Sequence, residues 1–372
     1  MKRLKPLNYE KLKYSHIIGT GGIGSGIFFK LEGNHTLGRN ESRPGKLVAC
    51  KDYCKQHIIL HYATVLLGAD PLGDFKVYPV GRVGDDEQGQ SLIMEMKNVG
   101  MTVDHVLITS NTSTLFSVCF QYADSTGGNI TTSENASSKV EPDDIATFFK
   151  SFEDSAGDEI ILAAPEVPLP TRIKLLEKGK ERGSFNVASI LSSEVNEFRL
   201  LGGFSTTDLL HVNIDEAKSI AGIYDEYADS KVVVDKCLAA LKQVNPSILL
   251  VVTDGPNGSY CSQNGHIEYI PALRTTAVAT GGAGDAYLSG LITGLCCGLP
   301  FIKGKQDRFF SETPLECAAE LGTLLASLSV TSPDTIYRDA DAELLYKFAV
   351  KNKVRFSSKV LNLFSSFIPQ TF

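Results

Sequence analysis

The stretch Arg274–Pro300, RTTAVATGGAGDAYLSGLITGLCCGLP, places a carboxylate behind four small residues and at the mouth of a strongly apolar run. Gly281, Gly282, Ala283 and Gly284 let successive backbone N–H groups converge, and a helix opening there adds the positive end of its dipole. Such a loop suits the charge of a transferring phosphoryl group. Asp285 stands at the same anion site. From its type and position alone it is either a base that takes a proton from an attacking hydroxyl or an ordinary helix cap.

Two other patterns offer chemistry. SHIIGTGGIGSGIFF, Ser15–Phe29, contains G-x-G-x-x-G at Gly19, Gly21 and Gly24, the spacing of a dinucleotide turn. That turn needs a helix directly behind it and an acidic residue about 20 positions on. Here Gly26, Gly33, Gly38, Pro44 and Gly45 interrupt any helical period, so these glycines are expected to let backbone pass close to another element or a ligand. Cys50, Cys54, His57 and His61 resemble a zinc spacing. On one helix the first and last are about 16 Å apart, too far for one ion, so this face is expected to pack on a sheet with His57 or His61 turned toward a substrate.

The elements that must carry these residues follow a βαβ rhythm. FKVYPVGRVG leads into a helix opened by Asp85 and Asp86 as turn and N-cap and closed at Gly100; EIILAAPEV leads into a helix over about 170–182. FNVASIL, DLLHVN and SILLVVTDG are further short buried strands of a mostly parallel sheet. About 26–50 and 106–132 break the rhythm, rich in Thr, Ser and β-branched residues. They are expected to be antiparallel strands added to the main sheet as a lid.

The whole chain of 372 residues, 43% apolar and 21% charged, reads as globular. A net charge of −7 and the lack of a long basic cluster argue against nucleic acid, and no apolar run approaches a membrane span. The basic start, MKRLKPLNYEKLKY, lacks the apolar core of a secretory signal, so a cytoplasmic location with eight reduced cysteines is the expectation.

GAGD followed by AYLSG resembles the C-terminal signature of the ribokinase-like (PfkB-type) carbohydrate kinases. VGRVGDDEQG resembles that family's N-terminal glycine and aspartate block, HVNIDEAKSIAG its N-x-x-E segment, and VVTDGPNGSYC its T-x-G-x-x-G turn. The blocks occur in the family's order across about residues 15–335. The resemblance implies an α/β chain, residues 1–372, with one three-layer α/β/α ribokinase-like domain, a mostly parallel central sheet and a small β-strand lid. It implies transfer of the γ-phosphate of ATP to a hydroxyl of a sugar or sugar-like acceptor, with Mg²⁺. Asp285 would be the base and the amides of Gly282, Ala283 and Gly284 the anion hole. Asn213 and Glu216 would hold Mg²⁺ through water, and Thr253, Gly255 and Gly258 would shape the nucleotide side. Gly24, Ser25, Gly26 and His57 would face the acceptor, and a homodimer through the lid is implied.

Three departures bear on this. Ala279 stands where the family has an acidic residue ahead of the signature. Gly24–Gly26 replace an acceptor-binding aspartate at the end of the first strand. ACKDYCKQHIILHYATVLLG replaces the usual glycine-rich helix start. They leave open a non-catalytic ligand-binding or regulatory protein on the same fold.

Overall fold

The computed structural model describes residues 3–7, 11–124, 126–152, 156–304 and 313–368, with the side chains of Ala49 and Cys50 outside that description. In chain order the elements are β1 (His16–Thr20), β2 (Gly24–Leu31), β3 (Gly45–Tyr53), α1 (Lys55–Leu67), β4 (Lys76–Gly84), α2 (Glu87–Val99), β5 (Val106–Thr109), β6 (Leu115–Gln121) and β7 (Gly127–Thr131). There follow α3 (Pro142–Ser151), β8 (Glu159–Ala163), α4 (Leu169–Arg182), β9 (Phe185–Ser189), α5 (Val195–Leu200), α6 (Gly203–Thr206), β10 (Leu209–Asn213), α7 (Ile214–Ala221) and α8 (Ser230–Lys242). The C-terminal part comprises β11 (Leu249–Thr253), β12 (Ser259–Gln263), β13 (His266–Ile270), α9 (Ala283–Cys296), α10 (Ala318–Ser329), α11 (Ala342–Lys351) and α12 (Ser358–Leu363).

Nine strands form one sheet in the order β13-β12-β11-β10-β9-β8-β1-β4-β5. From β11 to β5 every pairing is parallel; β12 and β13 complete one edge as antiparallel strands. A parallel sheet is covered on both faces, so its strands read as unbroken apolar runs. All five residues of β1 and of β8 are buried. One core, around Ile59, Tyr62, Leu291 and Leu324, packs α1, α9 and α10 on one face; the other, around Phe148, Leu176, Phe198 and Leu238, packs α3, α4 and α8 on the opposite face. The result is three layers, α/β/α. Among the described residues no helix is long and apolar enough to cross a membrane.

The lid differs from the sequence expectation in two respects. It is a separate four-stranded sheet, β3-β2-β6-β7, in which β2 and β6 are parallel and the other pairs antiparallel. Val106–Thr109, placed with the lid from sequence, instead pairs with β4 at the edge of the large sheet. Alternation along a strand shows which face is buried but not the direction of its neighbour.

The opening glycines now have a cause. The chain turns from β1 directly into β2, with no helix behind Gly24 and hence no dinucleotide turn. A Cβ on Gly24 would stand 2.3 Å from the carbonyl oxygen of Leu115, and one on Gly26 2.2 Å from that of Ser117. Both glycines admit β6 at contact distance.

Candidate active site

The C-terminal ends of β10 and β11 meet the N-terminus of α9. A Cβ placed on Gly284 would lie 3.7 Å from His211 Cε1 on β10 and 4.0 Å from Thr253 Oγ1 at the end of β11. Gly282 enters α9 in the left-handed region, φ 75°, a conformation that favours glycine. No side chain caps this helix. Ala283 N–H is engaged by Thr280 O at 3.3 Å, whereas the first helical bond runs from Ala286 N to Gly282 O. The helix therefore opens with backbone donors facing the strand ends.

Asp285 lies in that first turn but is neither its cap nor, among the described residues, part of any side-chain hydrogen bond. Burial pushes its carboxyl above the ordinary aspartate value; Lys55, the first residue of α1, pulls it back down. Lys55 is held cationic against its own burial chiefly by Asp285, with further help from Glu216, Glu166 and Glu194. Its Nζ stands 3.9 Å from Glu216 Oε1.

Asn213 and Glu216 make the reciprocal cap at the start of α7: Glu216 N–H donates to Asn213 Oδ1 and Asn213 N–H to Glu216 Oε2, both at 2.8 Å. Glu216 is 6% exposed, and desolvation raises its carboxyl despite the neighbouring lysine. Only Oε1 remains outside the cap. On the β11 side, Gly258 has φ 96° and a Cβ there would meet Ile270 O at 2.4 Å, so both conformation and space demand glycine; Gly255 is also left-handed, φ 51°. Thr253 Oγ1 donates to Val212 O at 3.5 Å.

The other side is built from the lid, α1 and the end of β8. Ser25 Oγ accepts from Gln88 Nε2 at 3.1 Å, which fastens β2 to α2. Cys54 N–H donates to Gly24 O at 3.3 Å, and Tyr53 N–H to Thr335 Oγ1 at 2.9 Å. Glu166, just beyond β8, has an unusual positive φ of 78° and a buried Oε2 with no partner among the described residues. Burial pushes its carboxyl up to about 7, opposed by Lys55 and supported by Asp285.

His57 is placed elsewhere. It is 1% exposed, with its ring 4.7 Å from that of Tyr53 and 6.3 Å from that of His61. Burial drives it down to about 3, with His61, Glu95, Arg338 and Lys51 as its charged neighbours rather than Asp285. A neutral core histidine, it does not join the group around Asp285, because Cys54 ends the extended segment and α1 begins only at Lys55. Cys50 accordingly belongs to β3, not to the helix, and its side chain lies outside the described residues. Among the described residues no three His, Cys, Asp or Glu could hold a metal ion together.

Sequence reasoning missed Lys55 and Glu166. The usable signal was position: Glu166 lies just beyond the buried strand β8, and Lys55 opens the helix that follows β3. A cavity of about 750 Å³ between Arg274–Thr276 and α11 is lined by none of these residues.

The chain is similar to known proteins in sequence and in fold. A sequence model of the pfkB family of carbohydrate kinases matches residues 63–342. Fructokinase from Klebsiella pneumoniae is 26% identical over 253 residues, 64% of this chain and 77% of that protein. Deoxyribokinase from Salmonella typhimurium is 26% identical over 267 residues, 70% of this chain and 77% of its own length. Among solved structures, ribokinase from Giardia lamblia superposes with a TM-score of 0.71 at 15% identity, covering 90% of this chain and 99% of that one. Fructokinase from Vibrio cholerae, in its fructose-, ADP- and calcium-bound form, gives 0.64 at 15% identity with the same coverage. The fold is that of ribokinase. The chain belongs to the pfkB family of carbohydrate kinases and is a phosphotransferase with an alcohol group as acceptor.

Proposed function

We propose that this enzyme transfers the γ-phosphate of ATP to a hydroxyl of a sugar, with Asp285 as general base. The observation that carries this reading is that Asp285 caps nothing: a half-buried carboxylate at a helix N-terminus, with no side-chain hydrogen bond among the described residues, is available to a substrate hydroxyl. As the acceptor oxygen forms its bond to the γ-phosphorus, its O–H bond breaks and the proton passes to Asp285. The bond between the γ-phosphorus and the bridging oxygen breaks, leaving the electron pair on ADP. Amides at Gly282, Ala283 and Gly284 stabilise the equatorial oxygens, with Gly282 and Gly284 the freer donors. Lys55 keeps Asp285 ionised and adds positive charge beside the transferred group.

Thr253, Gly255 and Gly258 shape the nucleotide side; the ribokinase of Cryptococcus neoformans, a neighbour of the same fold, was solved in complex with ADP. The donor set fits Mg²⁺: Glu216 Oε1 is a hard oxygen left outside the cap, and Asn213 stands beside it. Mg²⁺ there would neutralise phosphate charge. The lid, tied to the core through Tyr53 and Cys54, keeps water from competing as acceptor.

The test is to supply Mg-ATP with D-fructose, D-ribose or 2-deoxy-D-ribose and follow both ADP and the phosphomonoester by phosphorus NMR. Equal amounts of ADP and sugar phosphate from at least one sugar are expected. Failure to bind ATP in the presence of Mg²⁺ would contradict the reading.

A further inference from the structure

The end of β1 carries no acid, yet the acceptor side is not without one. Gly26 on β2 pairs directly with Asp52 on β3, and with Ser117 on β6 on its other side. With no side chain at Gly26 to intervene, the thiol of Cys119 on β6 reaches across and donates to Asp52 Oδ2 at 2.7 Å. Asp52 is half-buried, and among the described residues no cation pairs with it. The following residues are clamped, Tyr53 to Thr335 and Cys54 to Gly24, which fixes where its carboxylate projects.

Thr335, which holds Tyr53 N–H, also backs the opening of α9, where a Cβ on Gly282 would stand 2.9 Å from the Thr335 carbonyl oxygen, so the clamp next to Asp52 sits against the start of the helix that carries Asp285. The charge of Asp52 is felt by Asp285 and by the Cys54 thiol, and Cys54 is also bonded to Glu166. Glu166 in turn feels Asp285 and brings the buried, unpartnered Oε2 described above. Among the described residues the cation that Glu166 and Asp285 both feel is Lys55, and it is drawn toward Glu216 and Asp285.

We infer that Asp52, supplied by the lid, is an acceptor-binding carboxylate of this enzyme, and that the chamber it forms with Glu166 and Asp285 selects uncharged polyhydroxyl acceptors over phosphorylated or carboxylated ones. Hydroxyls donate to carboxylates in strong, charge-assisted hydrogen bonds, whereas an anionic acceptor brings like charge against Asp52 and Asp285, and against Glu166 where it is ionised. The inference rests on the kinase reading only in placing the acceptor beside Asp285.

Direct binding separates the two. Calorimetry of D-fructose, D-ribose, 2-deoxy-D-ribose, fructose 6-phosphate and gluconate with the full chain, with and without a non-hydrolysable ATP analogue, needs no turnover. At least one neutral sugar binds and the two anions bind at least tenfold more weakly. Asp52→Ala weakens that sugar by roughly 10–100-fold, the usual worth of a hydrogen bond to a charged group, while the affinity for the ATP analogue stays within about twofold. Asp52→Asn, which keeps size and accepts from the same thiol, weakens it less and guards against misfolding as the cause. Binding of the phosphorylated or carboxylated probe in preference to every neutral sugar, no binding of any neutral sugar, or unchanged sugar affinity in Asp52→Ala overturns the inference. Intact sugar binding without phosphoryl transfer contradicts the kinase reading instead.

Discussion

The two halves of the cleft are built on opposite principles. On the half proposed for phosphoryl transfer, backbone sets the shape: left-handed Gly282 and Gly258 and the open first turn of α9 leave little freedom for side chains. On the acceptor half, side chains from three separate elements converge, Asp52 from β3, Lys55 from α1 and Glu166 from beyond β8. Backbone geometry of the first kind constrains which residue types stand where, whereas a carboxylate can be presented from several positions. The acceptor half is therefore the part free to be rebuilt.

Substitutions can break this contrast. The largest effect is expected for Gly24→Val, which drives a side chain into a backbone oxygen of β6 that cannot move aside. We expect a loss of about 3 kcal/mol or more of stability, read as a fall in denaturation midpoint, with both affinities lost together. Selective loss of sugar binding with normal stability would instead put the acceptor against Gly24 itself. Gly258→Ala combines a left-handed position with a contact to Ile270 O and should weaken ATP by about tenfold or more while sugar affinity holds.

A smaller effect is expected for Glu216→Gln. Glutamine preserves the reciprocal cap with Asn213, so the fold should hold, but the charge at Oε1 is gone. Turnover at limiting Mg²⁺ should fall by about tenfold and recover in part as Mg²⁺ is raised; full activity at limiting Mg²⁺ would make Glu216 a cap and nothing more.

A last prediction, read from stability alone, sharpens the acceptor half. Glu166 has a folded-state pKa of about 7, above its ordinary value of 4.5. Its neutral form favours the fold, so the stability it contributes is present below pH 4.5 and is lost as pH rises through 7. Glu166→Gln should therefore change the melting temperature little at pH 5 and raise it at pH 8, by up to about 3 kcal/mol in stability terms. Equal shifts at both values would show that its burial carries no such cost.

Much of the α/β layering and the glycine-rich half was legible in the chain, because continuous apolar strands and the GGAGD run each report a local backbone requirement. Less could be read of the lid, where β2 runs parallel to β6, or of Asp52, whose neighbour Cys119 is far away in sequence and meets it only across Gly26. His57 misled for the opposite reason: a polar ring on a helix invites a substrate, yet burial beside Tyr53 makes it core. Lys55 was passed over because a lysine at a helix start usually reaches solvent, and only the three-dimensional arrangement brings Asp285 to it.

The role of Asp285 is tested most directly by single-turnover phosphoryl transfer in Asp285→Asn, measured with Mg-ATP affinity and melting temperature on the same preparation. Asparagine keeps the size but cannot take the hydroxyl proton. The rate should fall by about 10²–10⁴-fold, while Mg-ATP affinity holds or rises as a negative charge leaves the γ-phosphate site, and the protein stays folded. A stable Asp285→Asn enzyme that transfers phosphate at close to the parent rate would contradict the assignment of Asp285 as the base.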